Sequence, residues 1–110
     1  MTSNTAPQIQ CKTASEVRLV SVSFSGKLDE NELLTGTPTV TDATGDLTLN
    51  NKAVNTAALK INRATVPVGE AVQFSVAGGT AGEQYIINIL CSTDSSPAET
   101  LEQNVILEVT

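Results

Sequence analysis

A chain of 110 residues has room for one domain with one core of ordinary size, and 40% hydrophobic against 16% charged residues excludes wholesale disorder. Six Lys plus Arg against twelve Asp plus Glu leave a net charge of −6, the wrong sign for binding nucleic acid through its phosphates. With His 0 and Trp 0, imidazole-based triads and Cys/His zinc sites are excluded, and the aromatic residues are Phe24, Phe74 and Tyr85.

Residues 1–15 are polar, with Ile9 the one large aliphatic side chain after Met1. No basic cap precedes an apolar stretch, so no signal peptide is expected. No segment reaches the ~18 apolar residues of a membrane helix. The expectation is an N-terminal arm over 1–15, flexible or ordered by a partner, ahead of a domain over 16–110. Cys11 in the arm and Cys91 in a later apolar run read as free thiols of a reducing cytoplasm, although their long spacing leaves a disulfide open.

From Glu16 onward, short runs of Val, Leu, Ile, Thr and Phe alternate with Gly, Pro, Asn and Asp, which is an all-β texture. Val17 to Phe24 is a predicted strand with Val20, Val22 and Phe24 on one face and Ser21 and Ser23 on the other. Leu19 beside Val20 breaks the alternation and predicts a bulge or twist. After a connection over 26–32, Leu33 to Thr41 reads as a strand. Pro38 cannot donate to a ladder, so that strand is at an edge or interrupted. Asp42 to Asp46 is a turn cluster, Leu47 and Leu49 form a short strand, and Asn50-Asn51-Lys52 is the next break.

In the second half, Ala57, Leu59 and Ile61 alternate into a tight turn at Asn62-Arg63, and Ala64 to Val68 follows. Val72, Phe74 and Val76 alternate in the next strand, and Gly78-Gly79-Thr80-Ala81-Gly82 is a loop whose glycines permit positive φ. Tyr85 to Cys91 is apolar nearly throughout, the pattern of a central strand covered on more than one side. A turn over 94–98 leads to the last strand, with Val105, Leu107 and Val109 inward and Glu108 outward. No convincing helix is present. About seven strands with regular turn signals predict an all-β, Ig-like two-sheet β-sandwich carrying an N-terminal extended arm, with Tyr85 near the place of a corner tyrosine. The predicted core is Phe24, Leu59, Phe74, Val76, Ile87, Ile89 and Leu107.

Chemistry-bearing patterns are few. Hydroxyls are plentiful, but no motif sets a base beside one. The Gly78–Gly82 loop lacks the following Lys of a phosphate-cradling loop and precedes a strand. Asp29, Glu30 and Glu32 are the candidates for paired carboxylates or calcium ligands. Without an Asp-x-Asp-x-Asp-Gly pattern they read as a solvated loop or an interface patch. Asp42 and Asp46 around Gly45 are explained by Asx-turn chemistry. No catalytic residue, cofactor or metal is expected, and three aromatics leave little for a small-molecule pocket. Protein–protein contact remains, with Ile9 of the arm and Asp29, Glu30 and Glu32 of the acidic loop as the contact residues.

Two stretches carry a family resemblance. Ser25-Gly26-Lys27-Leu28-Asp29-Glu30-Asn31-Glu32-Leu33-Leu34 resembles the acidic, leucine-containing opening of small Ig-like proteins of tailed bacteriophages. Val72 to Val109 resembles their second half, with its Phe-Ser-Val, Gly-Gly-Thr-Ala-Gly, Tyr-containing strand and closing aliphatic strand. The likeness covers most of 17–110, and the tryptophans that many relatives carry in the first half are missing here. It implies a non-enzymatic virion structural protein, an Ig-like adaptor in the neck or tail that joins fibres or other tail parts to the particle. Capsid decoration on the phage head is the alternative, and an Ig-like adhesion module a more distant one. The implied partners are other virion proteins in multiple symmetric copies, with synthesis in the host cytoplasm and no nucleic acid, membrane or small-molecule substrate.

Overall fold

The computed structural model describes residues 8–61 and 64–110, and the side chains of Gln8 and Ile9 lie outside that description. The described strands are β1 (Gln8–Lys12), β2 (Arg18–Ser23), β3 (Leu34–Asp42), β4 (Leu47–Val54), β5 (Leu59–Ile61), β6 (Ala64–Val66), β7 (Ala71–Gly78), β8 (Gln84–Thr93) and β9 (Thr100–Val109). A 3-10 turn over Ser25–Lys27 is the one helical element among the described residues. The strands form a 4-stranded sheet in the order β1-β9-β8-β3, a 3-stranded sheet in the order β2-β7-β4, and a β5-β6 hairpin. The orders β2-β7-β4 and β9-β8-β3 are those of the B-E-D and G-F-C strands of an Ig-like sandwich. The β5–β6 hairpin interrupts the connection from β4 to β7.

One core fills the space between the sheets. It is built from alternate residues of facing strands: Val20, Val22 and Phe24 meet Phe74 and Val76 from one sheet and Ile87, Ile89, Val105 and Leu107 from the other. Strict alternation along β9 turns Val105, Leu107 and Val109 inward. Gln103 adds a polar tie across the layers, donating its Nε2 proton to the Ser23 carbonyl at 3.1 Å. The glycine loop after β7 needs its glycines. Gly79 has φ 95, and a Cβ there would meet Val109 Cγ2 at 2.9 Å and Leu47 Cδ2 at 3.1 Å.

Several expectations are corrected. Residues 8–12 are not an arm separate from the domain: β1 runs parallel to β9, from Gln8 opposite Val105 to Lys12 opposite Val109. Backbone pairing holds this strand, so it needs no apolar period, and Lys12 anchors its end by donating to the carbonyls of Thr13 at 2.7 Å and Gly78 at 2.6 Å. The predicted bulge at Leu19 is absent. The β2–β7 register is continuous from Arg18 to Ser23, and Leu19 simply faces outward, 65% exposed. Asn50-Asn51-Lys52 does not end β4 but forms an irregularity within it, with Asn51 at φ 57. β8 is central in its sheet but covered on one face only, leaving Ile86 61% exposed. Leu59 packs at the edge of a second small cluster of Ile61, Val66 and Ala71 rather than in the main core. The edge position of β3 and its interruption between Thr35 and Thr39, around Pro38, agree with the sequence.

Candidate functional site

In this topology the β2–β3 and β8–β9 loops close the same end of the sandwich, the end at which variable-type Ig domains place binding loops. Hydrogen bonds stitch them together. Leu33 N–H donates to Asp94 Oδ1 at 2.9 Å, and Asp94 N–H donates back to the Leu33 carbonyl at 2.9 Å. Leu34 N–H reaches the Gly69 carbonyl at 2.8 Å, which adds the turn before β7. That turn is itself fixed by buried Asn55, whose Oδ1 accepts from Gly69 N–H at 2.9 Å and Ala71 N–H at 3.0 Å. Its Nδ2 donates to the carbonyls of Ala57 and Pro67.

Within the β2–β3 loop, Asp29 to Glu32 form a reciprocal turn. Glu32 N–H donates to the Asp29 carbonyl at 3.0 Å, and Asp29 N–H donates to Glu32 Oε1 at 2.9 Å. Asn31 takes φ 66 to close it, a conformation Asn tolerates better than most residues. Glu32 is thereby folded under the loop and only 5% exposed, so the expectation of a solvated loop fails for this residue. Asp29 and Glu30 are exposed, in keeping with it. In the facing loop, Glu99 N–H donates to Thr93 Oγ1 at 3.0 Å, Thr93 and Ser95 hydroxyls lie 2.8 Å apart, and Ser95 Oγ donates to the Pro97 carbonyl at 3.0 Å. This chain places Glu99 opposite Glu32. One carboxylate oxygen from each of Asp29, Glu32 and Glu99 lies within 4.8 Å of the others.

The electrostatics follow from that convergence. The Asp29 backbone N–H, followed by the Ser95 hydroxyl, holds the Glu32 carboxyl below its usual range, with burial opposing. The negative charge of Glu32 pushes Glu99 up, aided by burial and by Asp29. Although the Ser95 and Thr93 hydroxyls stand close enough to favour ionised Glu32, neither completes a hydrogen bond to Oε2, which is buried without a partner.

Of the four contact residues expected from sequence, Asp29 and Glu32 belong to this cluster, Glu30 lies beside it, and Ile9 is remote in the chain on β1. The Ile9 side chain lies outside the described residues; its backbone pairs opposite Ile106. Sequence reasoning missed Glu99. The available signal was topological: an Ig-like order brings the acidic β2–β3 loop to the β8–β9 loop, which carries Asp94 and Glu99.

Two hydroxyl–carboxylate pairs do form, Ser25 Oγ to Glu70 Oε1 at 3.0 Å and Thr44 Oγ1 to Asp42 Oδ2 at 2.7 Å. Both lie in turns, and Asp42 also accepts from Thr44 N–H and Leu47 N–H as an Asx turn does. Cys11 and Cys91 are both free thiols, the first exposed and the second buried.

No protein-family model matches this chain, and no curated protein matches it. Among solved structures it is similar to a nucleoside hydrolase-related hypothetical protein from Saccharophagus degradans that is associated with carbohydrate metabolism, at 14% identity and a TM-score of 0.56. The likeness covers 96% of this chain but 23% of that one, so the chain spans about a quarter of its length, and what the two share is the fold.

Proposed function

We propose that this chain is a non-enzymatic Ig-like structural protein of a bacteriophage virion, an adaptor in the neck or tail that joins fibres or other tail parts to the particle. The observation that carries the reading is the loop end. Leu33 and Val68 remain 39% and 51% exposed there, with the Leu33 side chain lying over Gly69, beside acidic Asp29 and Glu30. Apolar anchors beside charged groups on braced loops suit a contact surface that loses little entropy on binding. The resemblance of 25–34 and 72–109 to small phage Ig-like proteins supports the same reading. Neighbouring virion proteins are the partners, repeated by the symmetry of the particle.

Mass spectrometry of purified particles, followed by cryo-EM localisation, tests this. The expected position is the neck or tail; density on the head shell assigns decoration instead, and absence from particles overturns the virion reading. A Val68→Ser, Glu30→Lys double variant should stay within roughly 1 kcal/mol of the parent in stability, because both side chains are exposed. Its occupancy in particles should fall. Unchanged occupancy would move the contact away from this end.

A further inference from the structure

We propose that Asp29, Glu32 and Glu99 form a calcium site that ties the β2–β3 loop to the β8–β9 loop. This goes beyond the adaptor reading and does not depend on it. Three carboxylates on two loops converge, with one oxygen from each within 4.8 Å of the others. Opposite ligands of Ca²⁺, at about 2.3–2.6 Å from the ion, stand about 4.6–5.2 Å apart, whereas Mg²⁺ draws them to about 4.0–4.2 Å. A spread of at most 4.8 Å leaves room for one such ion among the three oxygens. The donor set is all oxygen, which suits a hard cation and not zinc or copper.

The second observation is the buried oxygen. Glu32 is 95% removed from solvent by its 5% exposure, and its Oε2 has no hydrogen-bond partner. Its hydroxyl neighbours are committed elsewhere. Ser95 Oγ lies 3.0 Å from the Pro97 carbonyl and 2.8 Å from Thr93 Oγ1, which accepts from Glu99 N–H. Neither hydroxyl completes a hydrogen bond to Oε2. A buried carboxylate oxygen without a partner is costly, and two more carboxylates beside it add repulsion. Among the described residues, the groups that shift Glu32 and Glu99 are amides, hydroxyls and other carboxylates, not lysine or arginine. The occupant that answers this charge is either a proton on Glu99 or a cation. Glu99 and Asp29 are exposed, so they form an open rim through which a hydrated ion enters and keeps part of its water. With three protein carboxylates and water completing the shell, the expected Kd is on the order of 10⁻⁴–10⁻³ M.

The test uses the full chain after treatment with a chelator, at neutral pH. Equilibrium dialysis with radioactive calcium should show one ion bound per chain. Calcium at about ten times its Kd should raise Tm by roughly 5 °C, with a far smaller shift for Mg²⁺. Glu99→Gln, an exposed and near-isosteric change, should still unfold cooperatively but lose both the binding and the shift. Glu32→Gln should do the same where it folds. Absence of saturable binding at millimolar calcium overturns the site, as does undiminished binding by Glu99→Gln. A wild type indifferent to calcium would make a proton on Glu99 the occupant and refute the proposal.

Discussion

At one end of the sandwich, polar groups of β1, β7, β8, β9 and the turns before β4 and β8 meet and are satisfied by one another. Lys12 is 2% exposed with its ammonium on two carbonyls, and the Tyr85 hydroxyl accepts from Thr80 N–H at 2.8 Å while donating to Asp46 Oδ2 at 3.2 Å. Gly82 N–H and Val109 N–H close the same end against the Val109 and Glu83 carbonyls. At the opposite end, the loops are just as firmly bonded through their backbones, yet they hold three carboxylates together and leave one oxygen of Glu32 unanswered. The contrast separates two uses of buried polarity. A lysine or tyrosine on neutral carbonyls and amides completes the fold from within, whereas like charges gathered on braced loops call for something from outside.

The largest expected effect belongs to the core between the two ends and serves as the reference for both. Phe74 is 0% exposed, and Phe74→Ala should cost about 3–5 kcal/mol in denaturant unfolding. Because it touches neither loop cluster, the calcium-dependent rise in Tm should survive in any fraction that folds. A loss below about 1 kcal/mol would mean that Phe74 is not at the centre of the core.

A smaller effect tests the closed end. Tyr85→Phe keeps the ring in the core but removes an acceptor from Thr80 N–H and a donor from Asp46, for an expected loss of about 1–2 kcal/mol. The loss should be the same with and without calcium. A loss that changes with calcium would show that the two ends are energetically coupled, and the contrast drawn between them would have to be replaced by a single network.

The parts of this architecture that were legible in the sequence are those that use side-chain alternation. Val72, Phe74 and Val76, and Val105, Leu107 and Val109, have to face one way once their segments are strands, and they do. The interruption at Pro38 follows from a missing donor. The parts that were not legible rest on backbone or on distant partners. β1 is held by a parallel ladder that leaves no pattern in Gln8–Lys12, and a lysine at its end gives no hint that it will be buried. Nothing beside Asn55 in the chain marks it for burial, although its four side-chain hydrogen bonds set the base of the β5–β6 hairpin. At the candidate site, Asp29 and Glu32 stand out as an acidic run, but nothing near them in the chain indicates Glu99. Only the sandwich order brings it there, and burial of Glu32 depends on that meeting.

The smallest expected effect concerns the open end and is best read from its dependence on pH. Both glutamates start from 4.5 when unfolded; folding lowers Glu32, chiefly through the Asp29 N–H, and raises Glu99, chiefly through the charge of Glu32. Glu32 therefore contributes stability that is present above 4.5 and lost as pH falls through its lower folded value. Glu99 contributes stability that is present below 4.5 and lost as pH rises through its higher folded value. Without calcium, the local contribution of the pair is greatest where Glu32 is ionised and Glu99 still carries its proton, and it declines on both sides. The other carboxylates near the pair, Asp29 within the cluster and Asp94 on the Leu33 amide, remain in place when Glu99 is changed. Glu99→Gln keeps a donor facing Glu32 but removes the charge that develops at higher pH. Its Tm, measured with chelator present, should match the wild type in mild acid and exceed it increasingly towards neutrality. Saturating calcium should narrow that gap by stabilising the wild type alone. A difference between the two proteins that stays constant with pH would show that Glu99 and Glu32 do not share a charge, leaving the open end no different in kind from the closed one.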